Sequence, residues 1–308
     1  MNGIERQSQQ GRRAALAMLA ALSVVALLPR GAGAAPAKTR YGRGLLWRVS
    51  RRNVAPSYIF GTIHLADPRV LDLPDPVLEA FMRCKRLLVE TVLARSEEAR
   101  FFEAEQFEDG ARLEALIGAD AFAKVAAQLR ARKVPEEVIA RIKPWAALAN
   151  LTVTPEDYDR FTLDQQLIRL ARKRGIRVLG LEGVEEQIAV FDGIPMETQV
   201  ALLRHGLEHR DFLVSMIEPT IQAWLKRDLI GIRAVHERIA AHYPEIAVHY
   251  RILHQRVVRD RSVVMAHRLF FPLRQGGSFI AVGADHLHGD DGLLALVQAQ
   301  GYRLTPAY

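Results

Sequence analysis

The sequence predicts an α+β protein with a mixed central β-sheet that is flanked by helices. More residues are predicted to lie in helices than in strands. Short apolar runs of β type recur along the chain, helical spacing fills the intervals between them, and one long region is helical almost throughout. The predicted strands are 45–49, 57–63, 86–92, 176–181 and 278–283. The long helical region is therefore an insertion in the carboxyl-terminal half, placed before the last predicted strand.

Capping signals mark two of the predicted helix starts. Asp75-Pro76 is expected to open a helix, because aspartate suits the N-cap and proline the first helical position. Thr162 and Gln165 have capping-box spacing and predict another helix start. That helix is expected to end at Gly175, which leads directly into the strand 176–181.

The region 196–271 has no convincing strand pattern and is predicted to form two or three long helices. Breaks are expected near Gly231 and at Tyr243-Pro244, where the helical pattern is interrupted. Residues 152–161 are polar and contain a proline, so a surface loop or lid is predicted there.

The amino terminus has the features of a secretory signal. A pair of arginines precedes the apolar run 14–28, and Ala32-Gly33-Ala34 supplies a small-residue cleavage pattern. We therefore expect residues 1–34 to be a signal peptide, and 35–308 to be a single domain exported to the periplasm. Sec export is favoured over Tat, and a signal that stays uncleaved would leave the protein anchored in the membrane.

The charge of the mature chain argues against nucleic acid as a partner. Removing residues 1–34 takes away four arginines and one glutamate, so the formal net charge of +7 falls by three to +4. The sequence carries no zinc-finger, helix-turn-helix or RNA-binding signature. After signal cleavage, no remaining segment is long and apolar enough to predict a membrane span.

Two segments near opposite ends of the chain have the same form, an apolar strand that ends in Gly-x-x-His. They place His64 and His286 after predicted strands, and Glu90 and Glu182 each end a further apolar run. A carboxylate that follows a buried strand is costly unless it is paired, hydrogen-bonded or bound to metal. If these strands are parallel, their carboxyl ends share one edge of the sheet, so the four side chains predict one common site.

These residues belong to a set of motifs spread over most of the mature chain. The set comprises residues 58–64, Lys143-Pro144-Trp145, 179–187 and 283–302. In this combination the chain resembles the TraB/GumN family, to which the Tiki metalloproteases are related. It departs from the family pattern at Arg261-Ser262, where an asparagine is expected after the arginine.

The resemblance implies a divalent-metal hydrolytic site built from the two histidines and the glutamates. His64, Glu90 and His286 are the expected metal ligands, a set that suits zinc, manganese or cobalt. Glu182 is assigned as the base that takes a proton from water, although the reverse assignment of the two glutamates stays open. Arg261 is the expected group that polarises the substrate carbonyl, with Lys143 as the alternative.

The predicted function is thus an exported metal-dependent hydrolase, most simply a peptidase acting on a peptide or protein substrate. The alternative is a non-catalytic metal- or ligand-binding envelope factor that assists polysaccharide production or signalling. Both functions use the same residue types, so the sequence does not decide between them.

A rival metal motif lies within the long helical region. His205-Gly206-Leu207-Glu208-His209 matches the H-x-x-E-H pattern, in which two histidines one helical turn apart bind zinc and the glutamate acts as base. Gly206 weakens the helix that this motif requires. Glu218 and Glu237 are the available candidates for a third ligand.

Overall fold

The computed structural model describes residues 40–152 and 160–308, and a six-stranded mixed sheet lies at its centre. The strands are β1 (Leu46–Arg51), β2 (Val54–Thr62), β3 (Arg86–Thr91), β4 (Arg177–Glu182), β5 (Ser278–Gly283) and β6 (Arg303–Pro306). Across the sheet they run in the order β4-β3-β5-β2-β1-β6. The predicted α+β class with a mixed sheet is confirmed.

Four of the strands are mutually parallel. Strand β5 pairs in parallel with β2 on one side and with β3 on the other, and β3 pairs in parallel with β4. Strand β1 is antiparallel to both β2 and β6. The carboxyl ends of β2, β3, β4 and β5 therefore lie along one edge of the sheet, which is the arrangement that a shared site requires.

Strand β6 corrects the predicted order of elements. The segment 278–283, expected to be the last strand, is followed by one more strand that pairs with β1. Strand β6 is short, lies at the sheet edge and ends at Pro306, so it lacks the buried apolar run by which the other strands were identified.

A first group of helices precedes β4 in the chain or follows directly after it. They are α1 (Pro68–Leu71), α2 (Asp75–Met82), α3 (Arg95–Ala104), α4 (Leu113–Ile117), α5 (Ala119–Ala131), α6 (Glu136–Arg141), α7 (Pro144–Thr152), α8 (Leu163–Lys173) and α9 (Val184–Asp192). The predicted starts of α2 and α8 are confirmed. Gly175 follows α8 with a φ of 68°, a left-handed conformation that glycine adopts without strain. The signal peptide predicted over 1–34, and most of the loop predicted at 152–161, lie outside the described residues.

The long insertion before β5 consists of more and shorter helices than predicted. They are α10 (Met196–Glu208), α11 (Arg210–Ser215), α12 (Ile217–Leu225), α13 (Leu229–His242), α14 (Ala247–His254), a π-helical turn (Gln255–Asp260), α15 (Arg261–Arg268) and α16 (Phe270–Gln275). Helix α17 (Leu293–Ala299) lies between β5 and β6.

Both predicted helix breaks are confirmed, and the one near Gly231 lies between α12 and α13. Helix α13 ends before Tyr243-Pro244, as expected. Gly231 lies inside the first turn of α13, because the Asp228 side chain accepts a hydrogen bond from the Gly231 backbone N–H and caps the helix. The glycine therefore belongs to a helix start and does not interrupt a helix.

The sheet carries the main apolar core. Strand β5 is buried along its whole length, and its Phe279 packs against the fully buried Phe60 and Phe81. A second apolar cluster joins helices from both halves of the chain and includes Trp145 and Phe191. Among the residues that the structure describes, no helix is both long enough and apolar enough to cross a bilayer.

Candidate functional site

The two Gly-x-x-His segments meet because β2 and β5 are adjacent and in register. Thr62 at the end of β2 lies opposite Gly283 at the end of β5. A β-carbon on Gly61 would lie 2.7 Å from Leu287 Cδ1 and 3.2 Å from Ala284 Cα. Glycine at position 61 is therefore needed for the close approach of the two segments that carry the histidines.

Glu90 lies between the two histidines. Its Oε1 is 3.7 Å from His64 Nε2 and 3.8 Å from His286 Nε2, and it accepts a 2.8 Å hydrogen bond from the Gly283 backbone N–H. The exposed fractions are 8% for His64, 5% for Glu90 and 4% for His286. The structure thus brings together, at one edge of the sheet, the three residues predicted as ligands.

The other ring nitrogen of each histidine is held by a hydrogen-bond acceptor. His64 Nδ1 lies 2.7 Å from Asp164 Oδ2, and Asp164 also accepts a 2.7 Å bond from the Thr62 hydroxyl. His286 Nδ1 lies 3.1 Å from the Val258 carbonyl and 2.9 Å from Ser262 Oγ. A carboxylate and a carbonyl only accept, so Nδ1 carries the proton in each ring, and both Nε2 atoms face Glu90.

Asp164 and Ser262 were not predicted as site residues. Asp164 lies in the capping segment of α8, where an acidic residue already has a local explanation at the helix start. Ser262 was noted only as a departure from the expected asparagine. Its hydroxyl lies 2.9 Å from His286 Nδ1, so the side chain at position 262 contacts the imidazole of His286.

Arg261 joins the two glutamates. Its Nη2 donates to Glu90 Oε2 at 2.6 Å and to Glu182 Oε2 at 2.6 Å, and its Nε lies 3.1 Å from Glu182 Oε1. Both oxygens of Glu182 are therefore bonded to the guanidinium. The structure places Glu182 next to Arg261, while Glu90 is the glutamate next to the histidines, so the roles of base and ligand stay predictions.

The π-helical turn Gln255–Asp260 positions Arg261 and His286. The Val257 carbonyl accepts from Arg261 Nη1 at 3.2 Å, and the Val258 carbonyl accepts from Ser262 as well as from His286. A π turn widens the helix and redirects its backbone groups, and such turns are frequent at functional sites.

The buried charges shift the pKa values of the site in opposite directions. Burial lowers the pKa of His64, but Asp164 and Glu90 outweigh it and raise the value to about 10. Burial of His286 outweighs the attraction of Glu90 and lowers its pKa to about 4, with repulsion from Arg261 acting in the same direction. Burial opposes ionisation of Glu90, yet Arg261 and the histidines hold its pKa well below the usual range.

The donor set fits a divalent cation, although the side chains are not in ligand geometry as they stand. In the described part of the chain, no group of three or more His, Cys, Asp or Glu side chains has the geometry of a metal site. Two ligands of a tetrahedral zinc ion lie about 3.4 Å apart. The separations of 3.7 and 3.8 Å around Glu90 Oε1 are a few tenths of an ångström longer.

Lys143, the predicted alternative to Arg261 for polarising a substrate carbonyl, forms an ion pair with Asp192. Its ammonium contacts both oxygens of Asp192 at 2.8 Å, and the Trp145 indole N–H donates to the same carboxylate at 2.9 Å. The Trp145 ring stacks on Phe191 with centroids 5.0 Å apart. The Lys-Pro-Trp motif therefore supports the packing of α7 on α9.

The rival H-x-x-E-H motif does not assemble into a site. His205 is buried, and its Nδ1 lies 3.2 Å from the Tyr250 hydroxyl, whereas the Glu208 side chain is 76% exposed. The two candidate third ligands are engaged elsewhere, Glu218 with Arg69 and Glu237 with Arg233. The motif therefore belongs to an aromatic and histidine cluster within the insertion.

The buried His205 predicts a pH dependence of stability. Burial, with His209 adding repulsion, lowers the pKa of His205 from 6.5 to about 4. Between these values the unfolded state binds more protons, so the free energy of unfolding falls as the pH falls through this window. His205→Gln is expected to flatten this dependence in thermal unfolding. His242→Gln, the same change at an exposed position of α13, is the control, and an equal slope in both variants would contradict the assignment.

Comparison with known families decides the membership of this chain. The model of the TraB/PrgY/gumN family matches residues 45–306, which span β1 to β6 and thus nearly all of the described fold. The chain belongs to the TraB/PrgY/gumN family. Comparisons with curated proteins and with solved structures found no match. In this TraB/PrgY/gumN protein, the matched region includes both Gly-x-x-His segments, both glutamates and Arg261.

Proposed function

We propose that this TraB/PrgY/gumN protein is a metal-dependent hydrolase whose divalent cation is held by His64, Glu90 and His286. The observation that carries the proposal is the orientation of the two imidazoles. Each Nδ1 is fixed by an acceptor and each Nε2 faces the same carboxylate oxygen. This is the arrangement of metal-binding histidines, whose second nitrogen is held by a carboxylate or carbonyl.

The charge balance supports a divalent cation. Asp164, Glu90 and Glu182 are carboxylates bonded to the histidines or to Arg261, and Arg261 supplies one positive charge. In the metal-free protein the raised pKa of His64 gives that ring a positive charge, which offsets part of the negative charge. Metal binding requires both imidazoles to be neutral, and two negative charges would then remain uncompensated in a buried cluster, which is costly. An ion of charge two would balance them.

The chain's own residues have separate tasks in the proposed reaction. A bound divalent cation would supply Lewis acidity and lower the pKa of water towards neutrality. The hydrogen bonds from Arg261 hold the carboxylates of Glu90 and Glu182 in fixed orientations. Glu182 can take a proton as the base only through a lone pair that Arg261 does not occupy, so this pairing limits the direction from which the proton arrives.

Peptide bonds are the proposed substrate class, and the periplasm is the proposed location. The substrate class rests on the resemblance to the Tiki metalloproteases, and the location on the signal features of residues 1–34. A non-catalytic role in the envelope is the second candidate. The deep burial of all three ligand residues favours it, because a closed and saturated ion is typical of a structural site.

A metal analysis with matched variants tests the proposal. Wild-type protein purified without chelator is expected to hold about one divalent ion per chain, and His64→Ala and His286→Ala are expected to lose it. His249→Ala, outside the site, is the control. A wild-type protein that holds no ion and takes up neither zinc, manganese nor cobalt would overturn the proposal.

A peptide-library cleavage assay on the same preparations separates the two candidates. The hydrolase requires cleavage by the wild type and its loss in both site variants. Bound metal without cleavage of any peptide, and without exchangeable water on the ion, would favour the envelope factor.

A further inference from the structure

Four large apolar side chains on α15 and α16 are exposed to solvent. They are Val263, Val264, Phe270 and Phe271, and Phe271 is 73% exposed. We call these four side chains the exposed apolar face. Single exposed apolar residues are normal on a protein surface, whereas a group of them that is contiguous marks an interaction surface.

The exposed apolar face is continuous across the junction of the two helices. The Leu269 N–H donates to the Met265 carbonyl and the Leu273 N–H to the Leu269 carbonyl, both at 2.9 Å, so the helical hydrogen bonds continue through the junction. The spacing i, i+1, i+7 and i+8 then places the four side chains on one side of the helix. The rings of Phe270 and Phe271 contact each other, with centroids 5.4 Å apart.

This part of the chain carries positive charge. Residues 261–277 contain no aspartate and no glutamate. The guanidinium of Arg274, which is exposed, lies 5.2 Å from the centroid of the Phe270 ring. Arg268 is paired with Glu186 and adds no net charge. Arg274 therefore places a cation beside the aromatic part of the exposed apolar face.

Further basic residues adjoin the carboxyl-terminal end of α16. The guanidinium of Arg86 donates to the Gly276 carbonyl at 3.3 Å. Gly276 also packs closely against the Ala55 backbone, in the hairpin formed by β1 and β2. The basic side chains that these contacts bring to this end are Arg51, Arg52, Lys85 and Arg86, of which the first three are exposed. The exposed apolar face is thus bordered by positive charge, which complements an anionic surface.

A second copy of the chain is a poorer occupant of this surface. The exposed parts of the four apolar side chains amount to roughly half of the ~800 Å² that each partner of a stable protein interface buries. A twofold axis through this surface would also bring the same arginines of both copies together, and like charges in contact are unfavourable.

We propose that the exposed apolar face docks the protein onto the surface of an anionic lipid bilayer. The phenylalanine rings enter the boundary between headgroups and acyl chains, and the bordering basic side chains bind lipid phosphates. Arg261 and Ser262 are buried residues of the same helix α15, so docking holds the candidate site within about one helix diameter, ~10 Å, of the lipid. The inference does not depend on the proposed function.

The test measures binding of the chain without residues 1–34, which contains every described residue, to lipid vesicles by cosedimentation. Vesicles of phosphatidylcholine with phosphatidylglycerol are expected to bind it at least about tenfold more tightly than vesicles of phosphatidylcholine alone. High salt is expected to remove most of this difference. Phe271→Ser is expected to weaken binding by about tenfold, and Arg274→Gln by about fivefold on the anionic vesicles.

Phe161→Ser is the matched control. Phe161 is 50% exposed and has the guanidinium of Arg169 4.2 Å from its ring centroid, so it repeats the chemistry of Phe270 and Arg274 outside the exposed apolar face. Its vesicle binding is expected to equal that of the wild type. Since Phe271 is mostly exposed, the thermal midpoint of Phe271→Ser is also expected to equal that of the wild type, which shows that the variant is folded.

Each outcome decides the inference. It is overturned if the wild type fails to bind anionic vesicles, if it binds both kinds of vesicle equally, or if Phe271→Ser binds as tightly as the wild type. Sedimentation equilibrium without lipid gives a further check. A wild-type dimer that Phe271→Ser converts to a monomer would assign the exposed apolar face to a second copy and overturn the proposal. Loss of the expected metal binding or peptide cleavage would contradict the proposed function alone.

Discussion

Replacing Arg261 with methionine is expected to lower the free energy of unfolding of the metal-free protein by about 3–5 kcal/mol. Arg261 is buried, and it donates hydrogen bonds to both Glu90 and Glu182. Methionine fills a similar volume but leaves two buried carboxylates without their cation, and removing one partner of a buried ion pair costs far more than the intact pair contributes. Urea unfolding in chelator measures the change.

Two further variants separate this charge effect from lost packing. The double variant Arg261→Met, Glu182→Gln should be more stable than Arg261→Met alone, because one of the two unpaired charges is gone. Arg130→Met removes a guanidinium from an exposed pair with Glu136, and no measurable change is expected there. If the free energy of unfolding changes equally in Arg261→Met and Arg130→Met, the contacts of Arg261 with the two glutamates do not stabilise this edge of the sheet.

Replacing Asp164 with asparagine is expected to weaken zinc binding by about 10- to 100-fold. Asp164 accepts hydrogen bonds from the Thr62 hydroxyl and from His64 Nδ1–H. Asparagine has one acceptor oxygen and a donor amide, so it favours the His64 tautomer with the proton on Nε2, the nitrogen that the metal requires. Competition with a chromophoric chelator at constant pH measures the affinity.

Thr62→Val is the matched control for Asp164→Asn. Valine is close to threonine in shape and removes only the second hydrogen bond of Asp164, so His64 keeps its carboxylate. We expect its zinc affinity to stay close to that of the wild type. Equal affinities of Asp164→Asn and Thr62→Val would show that Asp164 does not set the tautomer of His64.

Local patterns were sufficient for the buried strands and for most helix starts. Strand β5 is buried at every residue, so its continuous apolar run has no other simple explanation. Strand β6 was missed because none of its residues is buried and its position depends on pairing with β1. The break predicted near Gly231 lies a few residues earlier, at 226–228, because the Asp228 cap places the glycine in the first turn of the next helix.

The same distinction applies to the site. His64, Glu90, Glu182 and His286 were identified because each follows an apolar strand, a pattern visible within a few residues. Asp164 was missed because an acidic residue in a first helical turn already has a local explanation, while its partner His64 lies 100 residues away. The bond from Arg261 to both glutamates likewise depends on contacts across the fold.

The sequence by itself determined which side chains stand at the ends of the apolar strands, because burial and strand length are properties of short segments. Only the tertiary structure decided their partners. Glu90 lies between the two histidines, Glu182 is hydrogen-bonded to Arg261, and Asp164 is hydrogen-bonded to His64. The physical reason is that strand order and helix packing set distances between residues far apart in the chain. Hydrogen bonds and ion pairs depend on those distances to within a few tenths of an ångström.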